Sequence, residues 1–469
     1  MLRGQAENDL LFPNEQYQDQ MDFIAIDIGT SFTKGSVVDV NSMVIRNVSR
    51  RAGGAKLASE DPFVYELDLD NVLQGVTELI DQLLSSTTDC RGILMCGQMG
   101  GLVLCDRNGR ARSNYISWLD RRATNTHPSG KVTYFDRLTE EVGDRSRTVL
   151  GNEFRPGLPL SFLHYLRENG QLDNLPGTIP VTLPDYVAAA LCNTRPVMEW
   201  TSTAGTLDIV SRQFPYDLLR ELRLDHLDWP DIVDFRHVVG EYEVAGRSLP
   251  VYAPTGDHQC SLAGTLLAQG ELSINVSTGS QVSMLTSSTD VGDFQVRPYF
   301  DGLLLKTITN IPAGRALTAI MKLLTEIPGR SKEDMAQSWD YFFQQAQQTT
   351  TTDAGVNLAF FPGAVEGPGS FTNLREDNLR VGHIARACLE QMADYYEQLA
   401  ARLTPAQDWS RLVFSGGIAQ QSSLLRDLVS DELNSEYRTA TSSEDALYGM
   451  MILGRVIAGL SDSVVPASG

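Results

Sequence analysis

The sequence predicts an α/β protein built of two related domains that face each other across a cleft. Three observations predict it. The chain has 469 residues, more than one hydrophobic core normally organises, so two or more domains are expected. A strand, polar turn, strand unit occurs first as Phe23 to Asp27, Gly29 to Ser31 and Thr33 to Val40. It recurs as Glu271 to Val276, Ser277 to Ser280 and Gln281 to Leu285. No low-complexity linker separates the two rounds, so the domains should pack closely. The expected division is a loose polar arm over 1–20, an N-terminal domain over 21–262 and a C-terminal domain over 263–469.

The remaining elements follow in order. Asp61 to Ser85 contains a helical stripe at Val72, Val76, Leu79 and Leu83. Gly92 to Met95 reads as a buried strand leading into Gly97 to Gly101, and Leu102 to Cys105 as a strand before a turn. Pro159 to Asn169 and Pro184 to Leu191 read as helices with proline at the start, where its missing N–H costs little. The second round opens with a strand at Val251 to Ala253, a turn at Thr255 to Asp257 and a helix over Gln259 to Leu267. Gly382 to Leu403 is a long helix with a stripe at Ala385, Leu389, Met392, Tyr396, Leu399 and Leu403, which core packing explains. Arg411 to Phe414 is a strand ending in Ser415-Gly416-Gly417. Helices over Ser422 to Leu433 and Glu444 to Ala458 close the chain.

Composition narrows the function classes. Apolar residues make up 42% and charged residues 21%, a globular balance. No apolar run approaches a membrane span. The first twenty residues lack the apolar core of a signal peptide. The net charge of −21 argues against nucleic acid or an anionic membrane as partner. A polyphosphate ligand would have to be held by local devices: backbone amides, a metal ion and a few placed cations. The six cysteines form no CxxC pair and read as reduced thiols, so a cytoplasmic location is expected. No HExxH, GxSxG or GxxxxGK[ST] pattern is present.

Five constellations carry chemistry. In Asp27-Ile28-Gly29-Thr30-Ser31-Phe32-Thr33-Lys34, Gly29 admits close backbone approach and Thr30, Ser31, Thr33 and Lys34 suit phosphate oxygens. Asp27, at a strand end, can hold Mg²⁺. An ordinary polar hairpin would read the same way. Ser277-Thr278-Gly279-Ser280 gains meaning only by pairing with the first turn across a cleft. Ser415-Gly416-Gly417-Ile418-Ala419 would let a flat ring lie on backbone, though tight strand–helix packing also needs glycine. In Gly256-Asp257-His258-Gln259, Asp257 fits both a helix cap and a general base. Gly97-Gln98-Met99-Gly100-Gly101 with Trp118-Leu119-Asp120-Arg121-Arg122 suits a small polyol pocket.

In their order and spacing these motifs resemble the FGGY family of carbohydrate kinases, over roughly Asp22 to Leu460. The resemblance implies two actin-like, ribonuclease H-like ATPase domains. It also implies transfer of the γ-phosphoryl group of ATP to a hydroxyl of a ketose, with Mg²⁺. It makes Asp257 the base and Asp27 the metal-side carboxylate. It assigns Gly29, Thr30, Ser31, Thr33, Lys34, Thr278, Gly279, Gly314, Gly417, Ile418 and Gln421 to ATP, and Gln98, Met99, Gly100, Trp118, Asp120, Asp257 and His258 to the sugar. The partner implied is a small sugar, and the chain is expected as monomer or homodimer.

Two departures bear on substrate. Many pentulose kinases of the family have histidine where Gly100 stands, and the second loop reads NVSTGSQ instead of LGTSG. The segments GDHQCSLAG, INVSTGSQV and YFDGLLLKTITNIPAGRAL resemble the sedoheptulose kinases most. Gly100 is therefore expected to leave room for a sugar longer than a pentulose. Two rival classes remain: an actin-fold ATPase that works a conformational switch without a sugar, and a regulator of sugar-kinase type. The second needs a DNA-binding segment that the acidic arm does not offer.

Overall fold

A computed structural model describes residues 20–467 except 174, 245 and 327–331. Most of the arm expected over 1–20 lies outside the described residues.

The first half is built on a seven-stranded sheet. Its strands are β1 (Asp22–Ile28), β2 (Phe32–Asp39), β3 (Val44–Ala52), β4 (Cys90–Gly97), β5 (Val238–Val244), β6 (Arg247–Tyr252) and the two-residue β7 (Thr255–Gly256). Their order is β5-β6-β4-β1-β2-β3, with β7 also paired to β4. The second half is a six-stranded sheet of β8 (Glu271–Val276), β9 (Ser280–Thr286), β10 (Gln295–Pro298), β11 (Leu304–Ile311), β12 (Arg411–Ser415) and β13 (Tyr437–Thr439). Its order is β10-β11-β9-β8-β12-β13.

The repeat read from the sequence is a repeat of topology. β3-β2-β1 is antiparallel, and β1 then pairs in parallel with β4, which pairs in parallel with β6. β11-β9-β8 is antiparallel, and β8 pairs in parallel with β12, which pairs in parallel with β13. Parallel strands buried on both faces need continuous apolar runs. β1 supplies one: Ile24, Ile26 and Ile28 enter an outer core, and Phe23 and Ala25 enter a central one.

Helices cover the outer faces. α1 (Leu69–Leu84) is capped by Asp68, whose side chain accepts the Asp70 amide at 3.0 Å, and it buries Val72, Val76, Leu79 and Leu83 as its periodicity predicts. α2 (Leu183–Cys192) starts with a capping box between Thr182 and Asp185. α3 (Asp257–Gly264) and α4 (Gly314–Thr325) both belong to the cleft. α5 (Val381–Leu403) buries its whole expected stripe against the second sheet, and its Tyr396 hydroxyl reaches Ser280 Oγ at 2.8 Å. α6 (Asp445–Ile457) is the last helix.

The central core joins the halves. Phe23, Val38 and Leu94 of the first sheet and Leu285, Leu305 and Val413 of the second enclose α3 and α6. The two helices touch backbone to backbone. A Cβ on Gly264 would lie 1.9 Å from the Asp445 carbonyl oxygen, and one on Gly449 would lie 1.9 Å from that of Cys260. The expected boundary after residue 262 falls inside α3.

The chain around Asp257 differs from the sequence expectation. Thr255 and Gly256 are not a turn. They extend beside Cys96 and Gly97 of β4, and the helix expected from Gln259 begins at Asp257 and ends at Gly264. All six cysteines are unpaired.

Candidate active site

Strand register assembles the site. Ile28 of β1 pairs with Gly97 of β4, and Gly97 pairs with Gly256 of β7, all in parallel. The next residues, Gly29, Gln98 and Asp257, therefore leave the sheet side by side at its carboxyl edge, where parallel α/β sheets bind ligands. One step back, Asp27 pairs with Cys96, and Cys96 with Thr255. The second sheet repeats the device. Asn275 of β8 pairs with Ser415 of β12, so the turns after Val276 and after Ser415 emerge together. The Gly314 amide donates to the Ser277 carbonyl at 3.0 Å and the Arg315 amide to the Thr278 carbonyl at 2.7 Å, which sets the start of α4 against the same turn. Gly416 has φ 87°, and a Cβ there would stand 2.4 Å from the Val276 carbonyl oxygen, so only glycine serves.

One cavity of about 410 Å³ lies between these edges. Thr30, Gln98, Met99, Gly100, Trp118, Asp257 and His258 line it from one half, and Thr278 and Gly279 from the other. Trp118 Nε1 donates to Thr30 Oγ1 at 2.9 Å, and Thr30 Oγ1 reaches Gln98 Oε1 at 3.5 Å. The Gln98 Nε2 donor is buried without a partner among the described residues, so a ligand hydroxyl would satisfy it.

Asp257 lines the cavity, and Asp27, one step back on β1, is half-buried and does not line it. Desolvation pushes Asp257 up to about 7, with repulsion from Asp27 adding to it. Desolvation likewise pushes Asp27 up to about 6, against the attraction of Lys34. Two repelling acids at a strand-end edge are a fitting place for a divalent cation. Among the described residues no cluster of three metal-ligating side chains exists. Mg²⁺ would thus rest on Asp27, phosphate oxygens and water.

Behind Asp257 stands a buried relay. Thr201 donates its amide (2.8 Å) and its hydroxyl to Glu199 Oε2, and the same hydroxyl accepts the Gly256 amide at 2.8 Å. Burial pushes the Glu199 carboxyl up to about 8.

Several expected residues stand elsewhere. Asp120 is fully buried and away from the cavity. Its oxygens take Arg122 Nε at 2.9 Å, Arg122 Nη2 at 2.7 Å and the Tyr65 amide at 2.6 Å. Lys34 pairs with Glu444 at the start of α6, and Arg50 joins them at 3.1 Å. Gly29, Ser31 and Thr33 do not line the cavity. Gly314 and Ile418 meet at the Ser277–Thr278 turn, where a Cβ on Gly314 would be 3.0 Å from Ile418 Cδ1. Gly417 and Gln421 are exposed beside it. The room expected at Gly100 is absent, because an added Cβ would lie 2.8 Å from Trp118 Cβ and 2.9 Å from the Gly157 carbonyl oxygen.

Arg155, Arg297 and Glu153 join the site without any sequence motif to mark them. Arg297 Nε binds Glu153 Oε2 at 2.6 Å, and its Nη1 donates to His258 Nδ1 at 2.9 Å. Burial, then Arg297 and Arg155, hold His258 well below the usual imidazole range, so it is neutral. Burial pushes Glu153 up, but the two arginines outweigh it and keep the group anionic.

Two halves of repeated topology, with strand-end turns from both converging on one cavity, define an actin-like ATPase fold. The comparisons agree. Residues 23–264 match the FGGY family of carbohydrate kinases, N-terminal domain. The chain is 27% identical to the xylulose kinase of Bacillus subtilis (strain 168) over 292 residues, 59% of this chain and 56% of that protein. The chain thus spans little more than half the length of that relative. It is 21% identical to the gluconokinase of the same organism over 467 residues, 94% of this chain and 88% of the other. The solved xylulose kinase of Lactobacillus acidophilus superposes with a TM-score of 0.80 at 17% identity, covering 95% of this chain and 91% of that one. The chain belongs to the FGGY family of carbohydrate kinases. Among the described residues, no helix is long and apolar enough to cross a membrane.

Proposed function

We propose that the protein transfers the γ-phosphoryl group of ATP to a hydroxyl of a small sugar bound between Gln98, Trp118 and Asp257. The observation that carries this is the placing of Asp257 at the same edge as Asp27 and Gln98, in one cavity with Thr278 and Gly279. The acceptor hydroxyl oxygen forms the new bond to the γ-phosphorus, the bond from phosphorus to the β–γ bridging oxygen breaks, and the hydroxyl proton passes to Asp257. Bound Mg²⁺ would neutralise charge on the phosphates. Gln98 orients the sugar with its free amide donor, and His258, held neutral by burial and by Arg297, adds no charge beside the base.

On this reading Thr30, Thr278 and Gly279 face the phosphates from opposite sides, while Gly314, Gly417, Ile418 and Gln421 hold the nucleoside. Lys34, paired with Glu444, acts at the phosphates only if that pair opens. Resemblance makes a ketose, sedoheptulose or a pentulose, the first acceptor class to test. The Gly100 wall is filled by Trp118 and Gly157, so it gives sedoheptulose no advantage of size over a pentulose. Coupled ATPase assays over ketoses, polyols and sugar acids test the proposal. Hydrolysis unaffected by every acceptor would instead favour a switch ATPase.

A further inference from the structure

We propose that the acceptor is a sugar acid, whose carboxylate is taken by Arg155 at the sugar end of the cavity, next to Arg297. The inference rests on the kinase reading and narrows its acceptor.

Two guanidinium groups, Arg155 and Arg297, share a single carboxylate, Glu153. Arg297 is committed. Its side chain is 5% exposed, bound to Glu153 Oε2 at 2.6 Å and to His258 at 2.9 Å. Arg155 is not. Among the described residues its one ion-pair partner is Glu153 Oε1, at 3.4 Å, and its side chain is 42% exposed where it lines the cavity. Asp257 stands in the same cavity within the attraction of Arg297, which leaves Arg155 as the guanidinium held here by nothing stronger than its 3.4 Å contact with Glu153. The chain as a whole carries −21, a field that repels anions. A cation set into such a wall has a local purpose.

A neutral sugar offers that cation hydroxyl oxygens but no countercharge. Amides and hydroxyls suffice to read its hydroxyls, and a partly desolvated guanidinium facing it would be a net penalty. A carboxylate matches the planar fork and can take it through two hydrogen bonds. Arg155 comes from the half that supplies the Gly100–Trp118 wall. Arg155 lies two residues before Gly157, whose carbonyl accepts the Gly101 amide at 2.9 Å and backs the Gly100–Trp118 wall. The Thr278–Gly279 turn belongs to the other sheet.

The test compares acceptors that share a carbon skeleton and differ only at one end. Gluconate against glucitol is the lead pair, extended to uronates and ketoaldonates with their matching polyols, and to xylulose and sedoheptulose. The expected result is a kcat/KM ratio of acid over polyol of about 10-fold or more, the scale of one charge-assisted hydrogen bond. Arg155→Met should bring that ratio close to one through the KM of the acid, and Arg155→Lys should retain part of it. Thermal unfolding of both variants verifies that they are folded. A wild-type preference for neutral ketoses or polyols overturns the proposal and leaves the kinase reading standing. So does a ratio untouched by Arg155→Met, or an effect confined to the KM of ATP, which would place Arg155 on the phosphates. No turnover of any acceptor overturns both readings.

Discussion

The Thr201 hydroxyl accepts the backbone N–H of Gly256 at 2.8 Å, one residue before the candidate base Asp257. The same hydroxyl donates to Glu199, so its direction is fixed from both sides. Thr201→Val leaves the buried Gly256 amide unpaired, which costs about 1–3 kcal/mol of stability. It also frees the start of α3. Turnover should fall by about 10-fold or more, because small displacements of a reacting group are costly. Thr201→Ser should restore most of it. Steady-state kinetics with both variants decides the point, and an unchanged kcat in Thr201→Val would remove the relay from function.

Asp257→Asn should keep nucleotide binding and lose about 10²–10⁴-fold in kcat, the range for a general base. The base works only when ionised. With Asp257 held near 7, wild-type kcat/KM should rise with pH through that value. A flat profile between pH 5 and 8 (about two units below and one above that value), or near wild-type turnover in the variant, would assign the proton transfer elsewhere.

Glu199 makes a separate prediction about stability. Its folded pKa of about 8 lies above its ordinary value of 4.5. A raised carboxyl favours the folded state while protonated. That stability is complete below 4.5 and is lost as pH rises through 8. Glu199→Gln cannot ionise, so its Tm should gain on wild type steadily across that window. Parallel Tm–pH curves for the two proteins would contradict the assignment.

Asp27→Ala should raise the Mg²⁺ concentration needed for half-maximal turnover far more than it raises the sugar KM. The motive is a half-buried carboxyl whose repulsion is felt at Asp257. Titrating Mg²⁺ at saturating sugar reads this directly. A changed sugar KM with an unchanged Mg²⁺ requirement would move Asp27 to the acceptor.

Gly100 has become a test of packing. A side chain there must displace Trp118 or the Gly157 backbone, so Gly100→Ala should raise the sugar KM and lower Tm, with strain of about 1–3 kcal/mol. Gly100→His should do the same more severely and should not convert the enzyme to pentuloses. A well-folded histidine variant with improved pentulose kinetics would show that the wall yields.

What the sequence disclosed followed from local chain punctuation. Asp27, Gln98 and Asp257 each stand where an apolar strand meets a polar or glycine-containing stretch, and sheet register turns three such ends into one edge. Arg155, Arg297 and Glu153 were invisible because no spacing links them, and they meet only once α3 and the second sheet are in place. Asp120 misled for a different reason. The Trp118 to Arg122 motif reads the same whether its carboxylate faces a ligand or folds back on Arg122, and the structure chooses the second. Lys34 stands opposite Asp27 in the β1–β2 register, yet its amine reaches Glu444, far along the chain, which no local pattern announces.

The crossing of α3 and α6, where Gly264 and Gly449 bring two backbones into contact, has a mechanical meaning. A rotation moves atoms in proportion to their distance from the axis. Any swing of one sheet against the other would have this crossing as its fulcrum, since both helices lie between the sheets. Asp257, at the first turn of α3, would stay nearly still while the Thr278 and Gly416 turns travelled toward it. The base would act as the anvil, and the nucleotide side as the moving jaw.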